Sequence, residues 1–582
     1  MVMVRTLLLP VLCLLICCGE RPTHDLIFYN GTIVTMSSKD EAGSTEAILV
    51  RNGKIHYVGS QKEAFAQARG NAKSIDLQGA TLLPGFVAPH THPELSAYLH
   101  TFVDLSGFRH SSPEEVMNAL KRAVEDAEPG EWIYCKGFDP ILVPGLEKPD
   151  ISQLDAMAPD NPVVILAQSM HSAWANSRAF AELGITANTK PPEQGSYYEV
   201  DADGNLTGFI VEVAAMQPFM KAALPTIDIK ENFQEVLDGY ADNGITSIGT
   251  AGVFGENDRS LMLMRWLSAE EPGMFLNLLG FFGILPERKP TVRNFVYLKA
   301  DSPFDIPSEP QRDDPSFQII GIKLWYDGSP YTGSMYLKEP YLESDLMQNG
   351  LGLPPGNSGS PVVARDEFES LVAEFHNQGW QLAIHSQGDQ SSYEVMETLE
   401  KVLKENPRKD HRHRLEHALL LPQDLLSKLA QNGITVGFHI NHLYYYGEAL
   451  RKDIIGDRAE SMLPTRSAIS NGIIVTLHAD QPMYPEDPLS LVQTAVDRSS
   501  REGTIIGESE SIDIREALEA VTIHGAWQLG LEDRLGSIET GKDADLVILD
   551  TNPMLTERSL VRKIQVLATF VSGRQIAGTP LY

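Results

Sequence analysis

Residues 81–92 read TLLPGFVAPHTH, an apolar run that ends in two histidines, His90 and His92. A nearly unbroken apolar run of this length is typical of a strand buried on both faces, as in a parallel sheet. Side chains two positions apart on a strand point to the same side, so the two imidazoles would face one direction. The segment therefore predicts a buried strand with a histidine pair at its carboxyl end.

Seven further segments have the same apolar character and alternate with stretches of helical periodicity. In the helix predicted after the fifth strand, for example, Val395, Leu399 and Val402 share one face. Eight such strands with helices between them predict an α/β fold, a TIM-like (β/α)8 barrel. The seven segments are PVVILAQS (162–169), ITSIGT (245–250), IIGIKLW (319–325), QLAIHS (381–386), RLEHA (414–418), ITVGFH (434–439) and IIVTLHAD (473–480).

The two ends of the chain predict short β strands instead. DLIFYNGTIVTM (25–36) alternates about an Asn-Gly pair, and AILVRNGKIHYVG (47–59) does the same, which are both hairpin signals. The C-terminal segments ADLVILD and VLATFVSGRQI are β-like again. We expect residues 25–80 and 531–582 to form a small β-sandwich, and residues 81–530 to form the barrel with an insertion around 95–160.

Residues 1–18 have the features of an export signal. Arg5 precedes an apolar run, Leu7 to Cys18, that is too short to span a bilayer. Its end resembles a lipoprotein cleavage box with Cys18 as the lipidated residue, although Cys17 before the cut is unusual and plain secretion is the alternative. We expect an exported protein, periplasmic or lipid-anchored to a bacterial membrane. Only Cys135 remains in the body, which excludes an internal disulfide and a cysteine-based metal site.

The net charge of the chain restricts the classes of partner that it can bind. The 582 residues carry a formal net charge of −31, which leaves no phosphate-neutralising face for nucleic acid. We expect a small-molecule substrate, and membrane contact only through the lipid anchor. The sequence leaves open whether the chain forms a homo-oligomer.

Polar residues stand at the carboxyl ends of the predicted strands, where a barrel of this type builds its active site. Each residue alone would be interpreted as a surface group or a satisfied core group. Their coincidence at the same end of five strands favours one metal site instead. The residues are His90, His92, Lys323, His385, His417 and Asp480.

Several strings, in this order, resemble the amidohydrolase superfamily, and specifically the family 3 branch that contains N-substituted formamide deformylases. LLPGFVAPHTHP (82–93) is similar to its first-strand signature and GSIETGKDADLVILD (536–550) to its C-terminal signature. The intervening strings are HSAWANS (171–177), IKLWYDGS (322–329), IHSQGD (384–389), RLEHA and HADQPMYPEDPL (478–489).

The resemblance implies that all six residues hold a divalent metal, with Zn²⁺ the first choice for imidazole and carboxylate ligands. It also implies that Lys323 is carboxylated. A carbamate bridge would accommodate two ions, whereas an unmodified Lys323 favours one ion or a structural pairing with an acid. Asp480 would act as the general base towards a metal-activated water.

Other histidines are candidates for substrate contacts or have no assigned role. His171, His439 and His442 are the candidate substrate contacts. Departures from the family pattern include Ala88-Pro89 before the histidine pair, and His478-Ala479-Asp480 where Gly-Ser-Asp is common. We expect the remaining histidines to be solvated, including His24, His56, His100, His110, His376, His411 and His413.

The resemblance alone implies hydrolysis of a non-peptide C–N bond in an amide, formamide or cyclic amide. A deaminase of the same superfamily is the first alternative. The residues after His385 are Ser-Gln-Gly-Asp, however, and the familiar mononuclear deaminases have a glutamate there. The second alternative is a catalytically inactive barrel that serves as a binding protein.

Overall fold

A computed structural model describes residues 24–38, 45–190, 196–255 and 257–581. The predicted signal segment, with Cys18, lies outside these residues. Within the described ranges, no helix combines the length and the apolar character that crossing a membrane requires.

The first six strands divide between two small sheets. They are β1 (Leu26–Tyr29), β2 (Thr32–Ile33), β3 (Ala47–Arg51), β4 (Lys54–Gly59), β5 (Lys73–Asp76) and β6 (Thr81–Pro84), and helix α1 (Gln61–Gln67) follows β4. The second predicted hairpin is confirmed, because β3 and β4 pair antiparallel across Asn52 and Gly53, which both have positive φ. The first predicted hairpin, in residues 25–36, is wrong. β1 pairs with β3 and β5, whereas β2 pairs with β6 in the other sheet. By crossing between the sheets, the chain places Phe28 and Ile33 in the same apolar core.

The first barrel strand, β7 (Phe86–Thr91), is followed by an inserted sheet with the order β12-β13-β11-β10-β9-β8. Its strands are β8 (Val103–Asp104), β9 (Ile133–Phe138), β10 (Val163–Ala167), β11 (Ser172–Ala175), β12 (Tyr197–Val200) and β13 (Leu206–Val211). The helices of this region are α2 (Pro93–Tyr98), α3 (Pro113–Asp126), α4 (Ile151–Met157), α5 (Ser177–Glu182), α6 (Val213–Ala223) and α7 (Ile229–Asp242).

The prediction that PVVILAQS is a barrel strand is wrong, since this segment is β10 of the inserted sheet. β10 is entirely apolar because both of its faces are covered: Val164 packs in one core cluster and Ile165 in another. The insertion also extends beyond residue 160, because β11, β12 and β13 belong to the same sheet.

The barrel has eight parallel strands in the order β7-β14-β15-β16-β17-β18-β19-β20. The strands after β7 are β14 (Ile245–Ala251), β15 (Arg293–Lys299), β16 (Phe317–Trp325), β17 (Gln381–Ser386), β18 (Arg414–His417), β19 (Thr435–Phe438) and β20 (Val475–Leu477). The barrel is nearly closed, because the His92 N–H, just beyond β7, donates to the Gln481 carbonyl just beyond β20 at 2.9 Å. This is a TIM-like barrel, in which β15 occupies the position that we had expected for the segment that forms β10.

Helices of varied length pack around these strands. The helix predicted after β17 is confirmed, with Val395, Leu399 and Val402 buried on one face. The helices are α8 (Arg259–Ser268), α9 (Met274–Phe281), α10 (Arg365–Asn377), α11 (Asp389–Glu405), α12 (Gln423–Gln431), α13 (Asn441–Ala449), α14 (Thr465–Ser470), α15 (Pro488–Asp497), α16 (Ile514–Ala520) and α17 (Ile523–Leu529).

The C-terminal strands join strands from the beginning of the chain. They are β21 (Leu546–Leu549), β22 (Val566–Val571) and β23 (Arg574–Gly578). β21 pairs antiparallel with β6, which gives a sheet with the order β2-β6-β21-β22-β23. This sheet is joined to the barrel by Arg293 of β15, whose buried guanidinium donates to both carboxylate oxygens of Asp545 at 2.9 and 3.1 Å.

Candidate metal centre

The carboxyl ends of the barrel strands bring a group of buried donors together. Asp480 follows β20, and its Oδ1 lies 3.2 Å from His90 Nε2 and 2.9 Å from His92 Nε2. These contacts lack hydrogen-bond geometry, since Asp480 Oδ1 is among the buried atoms that have no hydrogen-bond partner within the described residues. One donor atom of each of the three residues lies within 4.8 Å of the others. The arrangement is that of three ligands directed at a common point.

Lys323 and His385 lie beside this group. The Lys323 Nζ is 3.4 Å from His90 Nε2, and burial lowers the pKa of Lys323 to about 8. The His385 ring lies 4.3 Å from that of His417 at an interplanar angle of 54°, and its Nε2 lies 3.3 Å from the Gly328 carbonyl oxygen. The structure therefore brings all six predicted residues to one end of the barrel, with one His385 nitrogen directed towards the β16–α10 loop.

Glu416 of β18 orients His90, a role that the sequence did not reveal. Its Oε2 lies 2.7 Å from His90 Nδ1, and its other oxygen pairs with Arg414. A carboxylate only accepts hydrogen bonds, so the His90 proton is on Nδ1 and the lone pair is on Nε2. Although burial alone would raise it, Arg414 and His90 hold the pKa of Glu416 well below its usual range. In sequence, Glu416 is indistinguishable from an ordinary charged residue.

His478 is the second residue that the sequence did not assign. It follows β20, is fully buried, and lies flat against His90 with ring centroids 4.5 Å apart and an interplanar angle of 11°. It also contacts His417 and His439, with centroids 5.1 and 4.9 Å away. Its signal in the sequence was the departure from Gly-Ser-Asp.

Tyrosines and an amide fix the position of His442. Its Nδ1 lies 2.7 Å from the Tyr331 hydroxyl and 2.8 Å from the Tyr484 hydroxyl, and the Gln387 amide donates to its Nε2 at 3.2 Å. Burial lowers the pKa of His442 to about 3, so the ring is neutral. The His439 ring is 4.1 Å away, which places both predicted contact residues beside the donor group.

A family comparison identifies the chain. The model described as "Amidohydrolase family" matches residues 73–577. The chain belongs to this amidohydrolase family. It is therefore a metal-dependent hydrolase that acts on carbon–nitrogen bonds.

Individual relatives of this amidohydrolase are distant but similar in length. It is 27% identical to an N-substituted formamide deformylase of Arthrobacter pascens, over 94% of this chain and 98% of the relative. It is also 27% identical to the protein LONG AFTER FAR-RED 3 of Arabidopsis thaliana, over 95% and 91% of the two chains. An uncharacterized metal-dependent hydrolase from Pyrococcus horikoshii has the same fold, with a TM-score of 0.67, 22% identity, and coverage of 92% and 99%.

His171 occupies a different environment in the amidohydrolase. It directly precedes β11 of the inserted sheet, and its Nδ1 pairs with Glu212 at 3.1 Å. Both side chains are substantially exposed, at 40% and 46%. A contact between His171 and the substrate stays a prediction.

The expectation of a solvated side chain is wrong for His376, His411 and His413, which are buried. His413 donates from Nε2 to His376 Nδ1 at 2.8 Å, and its Nδ1 accepts from the Leu382 N–H at 3.0 Å. His411 donates to the Asn432 carbonyl at 2.8 Å. They are buried because the connections into β17 and β18 need polar side chains for backbone groups that strands do not satisfy.

The donor chemistry of the site fits a divalent cation. His90, His92 and Asp480 provide two imidazoles and a carboxylate, a set that suits Zn²⁺ and related transition metals. Asp480 and His417 also adopt the left-handed backbone region, with φ of 58° and 73°. Non-glycine residues are rarely found in this region, and such strain clusters at functional sites.

Proposed function

We propose that this amidohydrolase cleaves a non-peptide C–N bond in a small amide, formamide or cyclic amide. The observation that carries the proposal is the convergence of His90, His92 and Asp480 at the mouth of the barrel. The substrate class rests on the similarity to an N-substituted formamide deformylase along nearly the full length of both chains.

The cation that we propose for this site is zinc, held by His90, His92 and Asp480. When bound, such a cation lowers the pKa of a water from about 15.7 towards 7 and polarises the scissile carbonyl. Glu416 keeps the His90 lone pair on Nε2, because its Oε2 accepts a hydrogen bond from the His90 Nδ1–H group at 2.7 Å. The geometry of His90 is thus set before any substrate arrives.

Asp480 is proposed as the general base. Its Oδ1 faces His90 and His92, whereas Oδ2 lies 3.9 Å from His417 Nδ1 and 4.0 Å from His439 Nδ1. Both distances exceed the range of a hydrogen bond, so Oδ2 can take a proton from water and return it to the leaving nitrogen. Neutral His442, fixed by Tyr331 and Tyr484, is proposed to contact the substrate.

We further propose that Lys323 is carboxylated. The reaction joins the neutral amine nitrogen to CO2 and releases a proton, which converts a cation into an anionic oxygen ligand. Lys323 is fully buried and lies 3.4 Å from His90 Nε2, so the product would reach the donor group. Incorporation of ¹³C-labelled bicarbonate, read by NMR in wild type and in Lys323→Ala, tests this. No carbamate signal in wild type would exclude it.

The variant Asp480→Asn tests whether Asp480 acts as the general base. We expect turnover to fall by at least about 10²-fold, since the amide cannot accept the proton, while much of the cation stays bound. The measurements are elemental analysis and the rate of amine or formate release from a panel of formamides, N-acyl amines and cyclic amides. Near wild-type turnover in Asp480→Asn would contradict the assignment.

Substrate and cation measurements of this kind also distinguish the proposed amide hydrolase from a deaminase and from an inactive barrel. Release of ammonia from nucleobases, without amide cleavage, would favour a deaminase. A purified wild-type protein that contains no cation and takes none up would favour an inactive barrel.

We also propose that the chain is exported and lipidated at Cys18, on the sequence features of residues 1–18. Labelling with radioactive palmitate tests the anchor. A freely soluble, unlabelled mature protein would exclude it.

Finally, we propose that the two small sheets form one β-sandwich domain. The support is a common apolar core to which both ends of the chain contribute, with Leu26 and Leu82 on one side and Leu546 and Phe570 on the other. Limited proteolysis tests this, because a cut within residues 45–80 should leave the two ends associated.

A further inference from the structure

Helix α9 and the residues that follow it expose a continuous apolar segment, which we call the α9 surface. Residues 274–286 contain no charged side chain, although charged residues make up 21% of the whole chain. Exposed apolar residues are usually scattered singly, whereas a contiguous group marks an interaction site. The large apolar side chains exposed here are Met274 (89%), Phe275 (61%), Leu278 (53%), Phe281 (69%), Phe282 (65%) and Ile284 (50%).

The opposite face of α9 is packed against the protein. Leu276 belongs to the barrel core, and Gly280 lies so close to Trp266 of α8 that a Cβ would be 2.2 Å from the indole ring. The Trp266 Nε1–H group donates to the Pro286 carbonyl at 2.9 Å. These contacts fix the orientation of the helix, so its exposed side chains cannot turn into the core.

The length of α9 argues against a second copy of the chain as the partner. Eight residues form a helix about 12 Å long. Two such helices packed together would meet over little more than two turns, which falls short of the roughly 800 Å² per partner that a stable protein interface buries. A lipid surface sets no such minimum, because binding grows with each apolar side chain that enters it.

The chain enters the described structure near α9. Asp25 follows His24, the first described residue, and pairs with Arg51 at 2.8 Å, directly before the β3–β4 turn. Gly53 of that turn and Glu270, which precedes α9 by four residues, line the same cleft of about 300 Å³. The beginning of the described chain and the beginning of α9 are therefore neighbours.

Both features lie towards the amino ends of the barrel strands, away from the metal centre. Lys54 pairs with Asp543 at 2.7 Å, and Asp543 pairs at 3.4 Å with Arg293, the first residue of β15. The proposed lipidation site, Cys18, stands six residues before His24. An extended chain spans at most about 3.6 Å per residue, so a lipid on Cys18 would hold this end of the protein within about 20 Å of a bilayer.

We propose that the α9 surface inserts into the interface of a lipid bilayer and adds a second contact to the anchor at Cys18. The helix would lie in the plane of the membrane, since it is too short to cross it, with its phenylalanine and leucine side chains below the headgroups. Charged residues of both signs flank the segment, so insertion depends on apolar contact rather than on charge. They are Glu270, Glu271, Glu287, Arg288 and Lys289.

Binding to vesicles tests the proposal without an acyl chain. Its position beside an anchor rests on the proposed lipidation, so every protein compared is the full-length chain with Cys18→Ala, which is the parent. Flotation with vesicles of equal parts phosphatidylethanolamine and phosphatidylglycerol measures the affinity of the parent, of Phe275→Ser and of Phe281→Ser. Circular dichroism establishes that each variant is folded.

The matched control is Val362→Ser. Val362 is 60% exposed, and its N–H donates to the Tyr326 carbonyl at 2.9 Å, directly beyond the carboxyl end of β16. The control therefore removes an exposed apolar side chain at the opposite end of the barrel.

We expect Phe275→Ser and Phe281→Ser each to lower vesicle affinity by at least about 10-fold, because each removes a large side chain that the bilayer would bury. Val362→Ser should bind as the parent does. Phe281→Trp gives a readout at the surface itself: its emission should shift to the blue on vesicle binding and be quenched by brominated lipid, unlike that of Val362→Trp. Raising the salt concentration should change the affinity little.

Equal affinity in the parent and in both serine variants, or an unshifted emission of Phe281→Trp, would overturn the proposal. A parent dimer that dissociates in Phe281→Ser, measured by sedimentation velocity, would also overturn it, because a second copy would then cover the surface. Palmitate labelling of Cys18 without any effect of the α9 variants would contradict this inference alone. Vesicle binding through α9 without such labelling would contradict the lipidation alone.

Discussion

His90 is constrained on two sides, and neither constraint involves the residues that the sequence pattern singled out. Glu416 accepts from its Nδ1 at 2.7 Å, and His478 lies flat against its ring. Gly437 lies opposite Glu416 in the register of β18 and β19, where a Cβ would be 2.7 Å from Glu416 Oε2. The absence of a side chain at Gly437 therefore leaves room for the carboxylate that orients His90.

Gly437→Ala is expected to disturb the centre without removing any donor. The added methyl group must displace Glu416, so His90 loses its fixed orientation, and cation affinity should fall roughly 10–100-fold, as for other outer partners of metal ligands. Calorimetric titration with Zn²⁺ measures this.

Gly433→Ala is a control for the substitution itself, because Gly433 precedes β19 and lies near His411 rather than Glu416. It should lower stability through its positive φ but leave cation affinity unchanged. Equal loss of affinity in the two variants would contradict the role of Gly437.

At the residue scale, the sequence predicted the candidate metal ligands better than the residues that orient them. His90, His385 and Asp480 could be placed together because each lies at or just beyond the carboxyl end of an apolar strand, and a parallel barrel gathers such positions at one end. Glu416 acts through a contact with a strand distant in sequence, so no local pattern marks it, and His478 is marked only by its departure from Gly-Ser-Asp. The buried His376–His413 pair was missed for the same reason.

At the scale of elements, β10 and β15 show why apolar character alone does not assign a strand to a sheet. β10 is apolar because two core clusters cover it, although it belongs to the insertion. β15 begins with Arg293 and Asn294, polar residues that hydrogen-bond inside the protein to Asp545 and Thr250 respectively. The barrel has the predicted eight strands, but one of them is β15 rather than β10. β15 was missed because its polar residues are buried through partners elsewhere in the chain, which the local sequence does not reveal.

Arg293→Ala tests the junction between β15 and the C-terminal sheet. Removing the guanidinium leaves Asp545 buried without its partner, which should cost about 3–5 kcal/mol in the free energy of unfolding. Urea unfolding measures this. The double variant Arg293→Met with Asp545→Asn removes both charges and should recover part of the loss; a double variant less stable than Arg293→Ala would contradict the explanation.

The histidines at the entries to β17 and β18 predict acid sensitivity. Burial lowers the pKa of His376, His411 and His413 below the unfolded value of about 6.5. The unfolded chain then binds more protons than the native chain, so stability is lost as the pH falls below about 6.5. His413→Gln keeps an N–H donor towards His376, removes one titrating ring, and should reduce this slope by up to about 1.4 kcal/mol per pH unit.

Urea unfolding between pH 8 and 5 measures the slopes for wild type and His413→Gln. His56→Gln is the control for the substitution itself, because His56 is exposed rather than buried. Identical slopes in His413→Gln and wild type would contradict a neutral, buried His413.

At the scale of the whole molecule, the net charge of −31 acts against the compact state. Like charges repel each other, and dissolved salt screens this repulsion beyond a Debye length of about 10 Å at 0.1 M ionic strength. The melting temperature is therefore expected to rise between 10 and 300 mM NaCl. Differential scanning calorimetry measures this, and a falling melting temperature over that range would show that specific ion pairs outweigh the general repulsion.

The pairing of β6 with β21 has a consequence for synthesis. β6 leaves the ribosome early, but its neighbour in the sheet is made only when translation is almost complete. Until then the nascent chain presents an unpaired strand edge next to β7, the strand that carries His90. Contacts of such long sequence separation form slowly and leave edges open to aggregation. Protection by chaperones during elongation should therefore matter more for this chain than its barrel alone would suggest.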